Sequence, residues 1–335
     1  MQGNTIVTAK PPCAFRTAED YADLMGDSVL GAVRYGPVAG PPRWEHGRPV
    51  LPLHMVRPGE PEVVEVWHAE DREVRAGEYR GLLYAHDGEV LFGAGWIGPS
   101  AYCGEAAHSA YQAAFELVER LGYPTVFRIW TMLEGITEPA ASGVEVYREF
   151  CVGRGRAFDE HGKAMPASTG VGALGGGVTF YFVAHRSRVA VHLENPLQAP
   201  AHAYPSRYGQ RPPGFARGTY LAPATGRRGS LYVSGTAGIL DHATVAPGDV
   251  ARQVQVTLAN IAALIGADNL TEHGIDGGYA LSDLRSIKVY VKRPEDVPTV
   301  VGLCRDEFSR RADLAVFAVD VCRPDLLVEI EGMAP

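Results

Sequence analysis

Between residues 230 and 335 the apolar positions alternate between a strand rhythm and a helix rhythm. Ser230-Leu231-Tyr232-Val233-Ser234-Gly235 is a β-rich run that ends in glycine. Over residues 251–265, Val254, Leu258, Ile261 and Ile265 recur at i, i+4, i+7 and i+11, the single apolar face of an amphipathic helix. Residues 284–291 read as a strand. A second helix is predicted from near Pro294, with Val297, Val301, Cys304 and Phe308 on one stripe. Residues 316–321 and 326–330 then read as a strand pair around Arg323-Pro324-Asp325.

The same order stands earlier in the chain. Gly88-Glu89-Val90-Leu91-Phe92-Gly93-Ala94-Gly95 is matched by Arg228-Gly229-Ser230-Leu231-Tyr232-Val233-Ser234-Gly235. Residues 106–121 are helical in pattern, with Tyr111, Phe115, Val118 and Leu121 in register. Val126-Phe127-Arg128-Ile129-Trp130 parallels Ser286-Ile287-Lys288-Val289-Tyr290, and residues 178–184 close the unit as a strand. This predicts a duplicated α+β module. The expected organisation is an N-terminal module over 1–194, opened by an irregular Pro- and Gly-rich wrap over 1–60. A connecting loop over 195–228, rich in Pro, Gly, Arg and Tyr, then leads to a C-terminal module over 229–335.

Composition narrows the function classes. The chain has 335 residues, 46% hydrophobic and 21% charged, which are globular values. Its formal charge of −8 comes without long blocks of one sign, so nothing points to nucleic acid or a membrane surface. The opening residues have neither a basic start nor a long apolar run, and no run of about 18 apolar residues occurs anywhere. Five cysteines without C-x-x-C spacing disfavour a disulfide framework or structural zinc. A cytoplasmic location is therefore expected.

Particular motifs carry a resemblance. Leu231-Tyr232-Val233-Ser234-Gly235, Val289-Tyr290-Val291-Lys292 and Leu327-Val328-Glu329-Ile330-Glu331 resemble the YjgF/RidA family. That family places a substrate-gripping arginine on the strand before the V-E-I-E ending. Here that stretch is Ala315-Val316-Phe317-Ala318-Val319, so imine deamination is not expected. A closer resemblance covers about residues 80–335. Tyr147-Arg148-Glu149-Phe150-Cys151-Val152-Gly153-Arg154, Pro166-Ala167-Ser168-Thr169-Gly170-Val171-Gly172, and the stretch from Glu194-Asn195-Pro196 to Tyr204-Pro205-Ser206-Arg207-Tyr208-Gly209 look like the chorismatases.

The resemblance implies an α+β fold of two RidA/YjgF-like (chorismate-mutase-like) modules, each a mixed sheet backed by two helices. It implies cleavage of chorismate to pyruvate and a ring carboxylate, without cofactor or metal. Gly235 together with Cys322 looks like the branch that forms 3-hydroxybenzoate, an aromatic starter acid for secondary metabolism. The family's essential acid matches Glu329, seven residues after Cys322. The resemblance further implies substrate binding by Tyr147, Arg154, Tyr208 and Arg305. As partner it implies the small molecule chorismate alone, in a homotrimer or a monomer. Alternatives are a hydrolytic enzyme forming a dihydroxycyclohexadiene carboxylate, a producer of mixed 3- and 4-hydroxybenzoates, and a non-catalytic RidA-like module that binds small carboxylates.

The residue types suit that chemistry. In a strand, Glu329 shares a face with Leu327 and Glu331, opposite Val328 and Ile330. Partial burial there raises a carboxyl's pKa and lets it carry a proton near neutral pH. Tyr147 and Arg154 lie two helical turns apart, so a helix places them on one face. Arginine offers carboxylates a planar pair of donors and stays charged. Arg207 and Tyr208 fall in the connecting loop, and Arg305 faces away from the apolar stripe of its helix. A glycine at 235 allows close approach of backbone to ligand. Two other signals are set aside. Gly170-Val171-Gly172-Ala173-Leu174-Gly175 matches G-x-G-x-x-G, but it lacks a strand before it and a helix after it, and reads as a flexible loop. His68, His86, His108 and His242 show no H-x-x-x-H spacing beside a carboxylate, so a metal is not expected.

Overall fold

The computed structural model of the protein describes residues 12–24, 28–69, 73–100, 103–223 and 228–335. Three sheets carry the described structure. The first comes from β1 (Cys13–Thr17), β2 (Val29–Gly36), β3 (Arg43–Glu45), β4 (Arg48–His54) and β5 (Val63–His68), with helix α1 (Ala18–Leu24) after β1. The second comes from β6 (Arg75–Tyr79), β7 (Leu82–His86), β8 (Val90–Ile97), β9 (Thr125–Glu134), β10 (Ala167–Ala173) and β11 (Val178–His185). Its helices are α2 (Cys103–Leu121) and α3 (Val146–Glu160). The third sheet uses β12 (Ala190–Leu193), β13 (Gly218–Leu221), β14 (Ser230–Ala237), β17 (Ser286–Val291), β18 (Asp313–Ala318) and β19 (Val328–Ala334). With it go α4 (Val250–Ile265), α5 (Ala267–Glu272), α6 (Val297–Glu307) and a two-strand hairpin, β15 (Ile239–Leu240) with β16 (Ala243–Thr244).

The duplicated α+β module is present in strand order as well as sequence rhythm. The second sheet runs β10-β9-β11-β8-β7-β6 and the third β18-β17-β19-β14-β13-β12. In both, the first pair is parallel and the next two are antiparallel. The expected pairing of 316–321 with 326–330 is corrected by this order. β18 and β19 lie on opposite sides of β17, so the turn at Arg323-Pro324-Asp325 is a crossover loop and not a hairpin. Local pattern shows that two strands follow one another, but not which neighbour each hydrogen-bonds.

The N-terminal segment is also corrected. From Cys13 onward it is no irregular wrap but a third, reduced copy of the module. Its order β4-β2-β5-β1 repeats the parallel, antiparallel, antiparallel sequence of the other two sheets. Its short strands are interrupted by Pro41-Pro42 and by Pro58-Gly59, which masked their periodicity. The three copies meet head to tail: β10 abuts β14, β18 abuts β1, and β4 abuts β8. A heterologous contact repeated three times closes a ring, and here the ring closes within one chain.

Apolar packing explains this closure. One core lies between the three sheets and joins Tyr35, Leu53 and Trp67 to Trp130, Tyr181, Tyr290 and Phe317. Two satellite cores pack α2 and α3 on the second sheet, and α4 and α6 on the third. In α4 the buried Val254, Leu258, Ile261 and Ile265 are the stripe seen in the sequence. Asp249 caps that helix by accepting from the Arg252 amide at 2.9 Å, satisfying one of its free N-terminal donors. Where α2 crosses α3, a β-carbon on Gly153 would strike the Gly104 backbone, so the helices touch along their main chains.

Candidate active site

A cavity of about 400 Å³ opens at the seam between the second and third sheets, within the usual range for small-ligand sites. Ser168 and Gly170 of β10, Gly235 and Ala237 of β14, and Glu329 of β19 form its sheet walls. Tyr147 and Arg148 come from the start of α3. Tyr204, Tyr208, Phe215 and Arg217 come from the connecting loop, and Cys322 and Arg323 from the β18–β19 crossover.

β10 contains the G-x-G segment that was expected to be a flexible loop. It is instead a strand, parallel to β9 along its whole length. The glycines answer to packing: the Gly172 amide donates to the Asp320 carbonyl at 2.7 Å, and a β-carbon there would crowd that same residue. Gly170 likewise leaves room for the Tyr147 ring.

Glu329 is 4% exposed. Burial, reinforced by the neighbouring charge of Glu331 and opposed by Arg128, raises its pKa from 4.5 to about 8. Among the described residues its hydrogen-bond partner is the Cys322 thiol, whose Sγ stands 3.9 Å from Oε2. Burial and the Glu329 carboxyl push the Cys322 thiol well up, so it stays protonated. Gly235 lies against the other carboxyl oxygen, and a β-carbon there would stand 2.9 Å from the Glu329 carboxyl carbon. The expected trio of Glu329, Cys322 and Gly235 is therefore brought together.

The expected binding residues divide. Tyr147 and Tyr208 line the cavity. Arg154 does not: it is buried behind β10, where it donates to the Gly214 carbonyl at 2.6 Å and to Ser168 Oγ at 3.0 Å. Its guanidinium also rests 4.9 Å from the Phe158 ring centre. Two helical turns place Tyr147 and Arg154 on one face, but the helix runs past the cavity. Arg305 is corrected outright. It is exposed at the end of α6 and lines a separate hollow beside Arg57 and Phe308. Facing away from its own helix's apolar stripe pointed it to solvent, not to the site.

Two further arginines that no motif marks, Arg217 and Arg323, line the cavity. Arg217 is 3% exposed and donates to the Ala199 carbonyl and the Tyr204 hydroxyl, each at 2.7 Å. Its buried Nε has no acceptor among the described residues. Arg323 donates to the His242 carbonyl at 2.9 Å, and its guanidinium lies 4.0 Å from the Tyr208 ring centre. Its position next to Cys322 was the available signal. Arg217 stands only before a short strand, and nothing local marks it.

The three-copy arrangement shows how the acid is placed. The second strand of each copy carries an aromatic residue, Tyr35, Trp130 or Tyr290, paired respectively with Val63, Tyr181 and Glu329. At this position only the third copy holds a carboxyl. A buried acid facing fixed guanidinium groups at the seam of a repeated α+β scaffold defines a pocket for a small anionic substrate and for proton transfer to it.

Comparison with known proteins agrees with that class. Residues 65–184 match the family model described as Chorismatase FkbO/Hyg5-like, N-terminal. A 3-hydroxybenzoate synthase of Streptomyces hygroscopicus is 48% identical over 92% of this chain and 92% of its own. A chorismatase of Streptomyces rapamycinicus is 43% identical over 98% of both chains. A chorismatase crystal structure superposes with a TM-score of 0.92 at 43% identity, covering 96% of this chain and 98% of its own. The chain belongs to the chorismatase family.

Proposed function

We propose that this enzyme converts chorismate to 3-hydroxybenzoate and pyruvate, with Glu329 as the proton-transfer residue. One observation carries the reading: a buried carboxyl that holds its proton near neutral pH sits against Gly235 and Cys322 in a cavity faced by Arg217 and Arg323. The name of the 48% identical relative supports the product.

Chorismate is a dianion whose enol ether resists water until it is protonated. Arg217 and Arg323 supply fixed charge for its carboxylates, and Tyr147 and Tyr208 supply phenolic donors. The ring C4 hydroxyl oxygen bonds to C3 as the C3–O ether bond breaks. Glu329 delivers its proton to the departing enolpyruvate, which becomes pyruvate, and the hydroxyl proton returns to Glu329. The C4–O bond of the epoxide then opens with the oxygen left on C3, and loss of the C3 proton aromatises the ring as the C3 oxygen takes up a proton to give the phenol. No water enters the balance, since chorismate contains all the atoms of 3-hydroxybenzoate and pyruvic acid.

Gly235 and Cys322, the pair that resembles the 3-hydroxybenzoate branch, both line the cavity, which supports internal displacement over attack by water. The hydrolytic reading would give the dihydroxycyclohexadiene acid instead. Five unpaired cysteines support a reducing, cytoplasmic setting. Ring closure within one chain supports a monomer, which size-exclusion with light scattering checks.

The test is incubation of purified protein with chorismate, followed by chromatography with mass detection. Equimolar 3-hydroxybenzoate and pyruvate are expected. The diene acid as sole product would overturn the branch, and untouched chorismate would overturn the activity.

A further inference from the structure

Behind the cavity, on the face where the three sheets meet, lies a closed set of charges. Glu331, two residues along β19 from Glu329, is 2% exposed. Its Oε1 accepts from Lys288 at 2.8 Å, the Trp130 indole at 2.9 Å and the Tyr290 hydroxyl at 3.0 Å. Its Oε2 accepts from Arg128 and the Thr169 hydroxyl. Lys288 also reaches Glu65 at 2.8 Å, and Glu65 accepts from the hydroxyls of Tyr35 and Tyr181 and the indole of Trp67.

Two cations and two carboxylates from three different sheets thus balance to zero. Their donors are committed elsewhere: Lys288 to Glu331, Glu65 and the Tyr181 hydroxyl, and Arg128 to Glu331, Thr169 and the Ile129 carbonyl. Glu329 shares its strand face with Glu331, but among the described residues no cation donates a hydrogen bond to it. A charge on Glu329 would place a second carboxylate anion beside Glu331 in a buried site, opposed by Arg128 and Arg217 only through space, which is disfavoured. Thr169 ties the set to the cavity, because its hydroxyl also accepts the Gly235 amide at 3.0 Å.

We infer that Glu331, Arg128, Lys288 and Glu65 form a neutral positioning network that keeps Glu329 in its acid form and fixes its seat against Gly235. Among the described residues, the charged and titratable groups around Glu329 include Glu331 on its own strand, Arg128 on β9, Cys322 and Arg323 in the crossover, Tyr208 and Arg217 in the connecting loop and Tyr147 on α3. Burial alone would push Glu331 up, yet Lys288 and Arg128 hold it below the ordinary glutamate value. That direction fits an anion fixed at Glu331 and a proton left on Glu329.

The proposal rests on Glu329 acting as an acid in the reaction above, and it predicts opposite responses to opposite charge changes. Glu331→Gln and Glu65→Gln leave one uncompensated cation, so the basic limb of the kcat/KM profile should move down by about one pH unit or more. Lys288→Met leaves one uncompensated anion and should move the limb up. A structural defect alone would lower activity at every pH without sorting by sign. The protonated-carboxyl infrared band that Glu329→Gln removes provides a second readout, independent of turnover. Its midpoint should shift in the same directions in each folded variant, with folding checked by circular dichroism. Unmoved limbs and bands, or shifts of one sign in all three variants, would overturn the network. If wild-type protein left chorismate intact, the functional reading would fall while the infrared titration still judged the network.

Discussion

Gly235 and Glu329 occupy one volume. The Glu329 carboxyl rests where a side chain at 235 would begin, and its carboxyl carbon would be 2.9 Å from the added β-carbon. The Thr169 methyl stands 3.2 Å from that same point and the Gly235 amide is bonded to Thr169, so the strand has little room to retreat.

Gly235→Ala should therefore displace the acid. The expected outcome is a lower kcat and a product mixture enriched in the hydrolytic diene acid, because a shifted Glu329 leaves room for water. Product chromatography across a chorismate series reads both effects. An unchanged ratio with unchanged kcat would count against the shared-volume account.

Glu329→Gln should lower kcat by about 10³-fold while the protein folds normally. It should also stabilise the protein, and the sign follows from the pKa. Between 4.5 and about 8 the folded state holds a proton that the unfolded state has released. Wild-type stability contributed by this group therefore falls as pH rises through that window. Glutamine carries no such charge, so the melting-temperature gap in favour of the variant should widen from pH 5 to pH 8.5.

Arg323→Gln should raise KM by roughly 10- to 100-fold through loss of a charge-assisted contact to a substrate carboxylate. Arg305→Ala, at an exposed site in another hollow, should leave KM unchanged and stability within about 0.5 kcal/mol. Steady-state kinetics on the pair separates a cavity arginine from a surface one.

Arg128→Met should cost about 3–5 kcal/mol of stability, since it leaves Glu331 buried beside one cation instead of two. Denaturant unfolding measures this. A loss below about 1 kcal/mol would show that the buried pair is replaceable.

Much was legible in the sequence because it depends on local period. The strand runs at 230–235 and 284–291, the helix over 251–265 and the duplication itself follow from side chains repeating at the spacing of the element they build. The motif around Glu329, its seven-residue spacing to Cys322 and the glycine at 235 were likewise local, and resemblance could attach to them. Residues 13–68 carry no clear period, because prolines and glycines break their strands into pieces too short to show one. Arg154 and Arg305 misled because a helix face specifies which residues travel together but not what that face meets.

Only the tertiary structure decided the rest. It brought β10 of the second sheet against β14 of the third, so that Gly235 and Glu329 meet Tyr147 of α3 and Arg217 of the connecting loop. It gathered Glu65, Arg128, Lys288 and Glu331 from three sheets into one neutral cluster. No period in the chain encodes such neighbours. They follow from closing three repeated sheets into a ring, where burial turns residues far apart in sequence into one electrostatic unit.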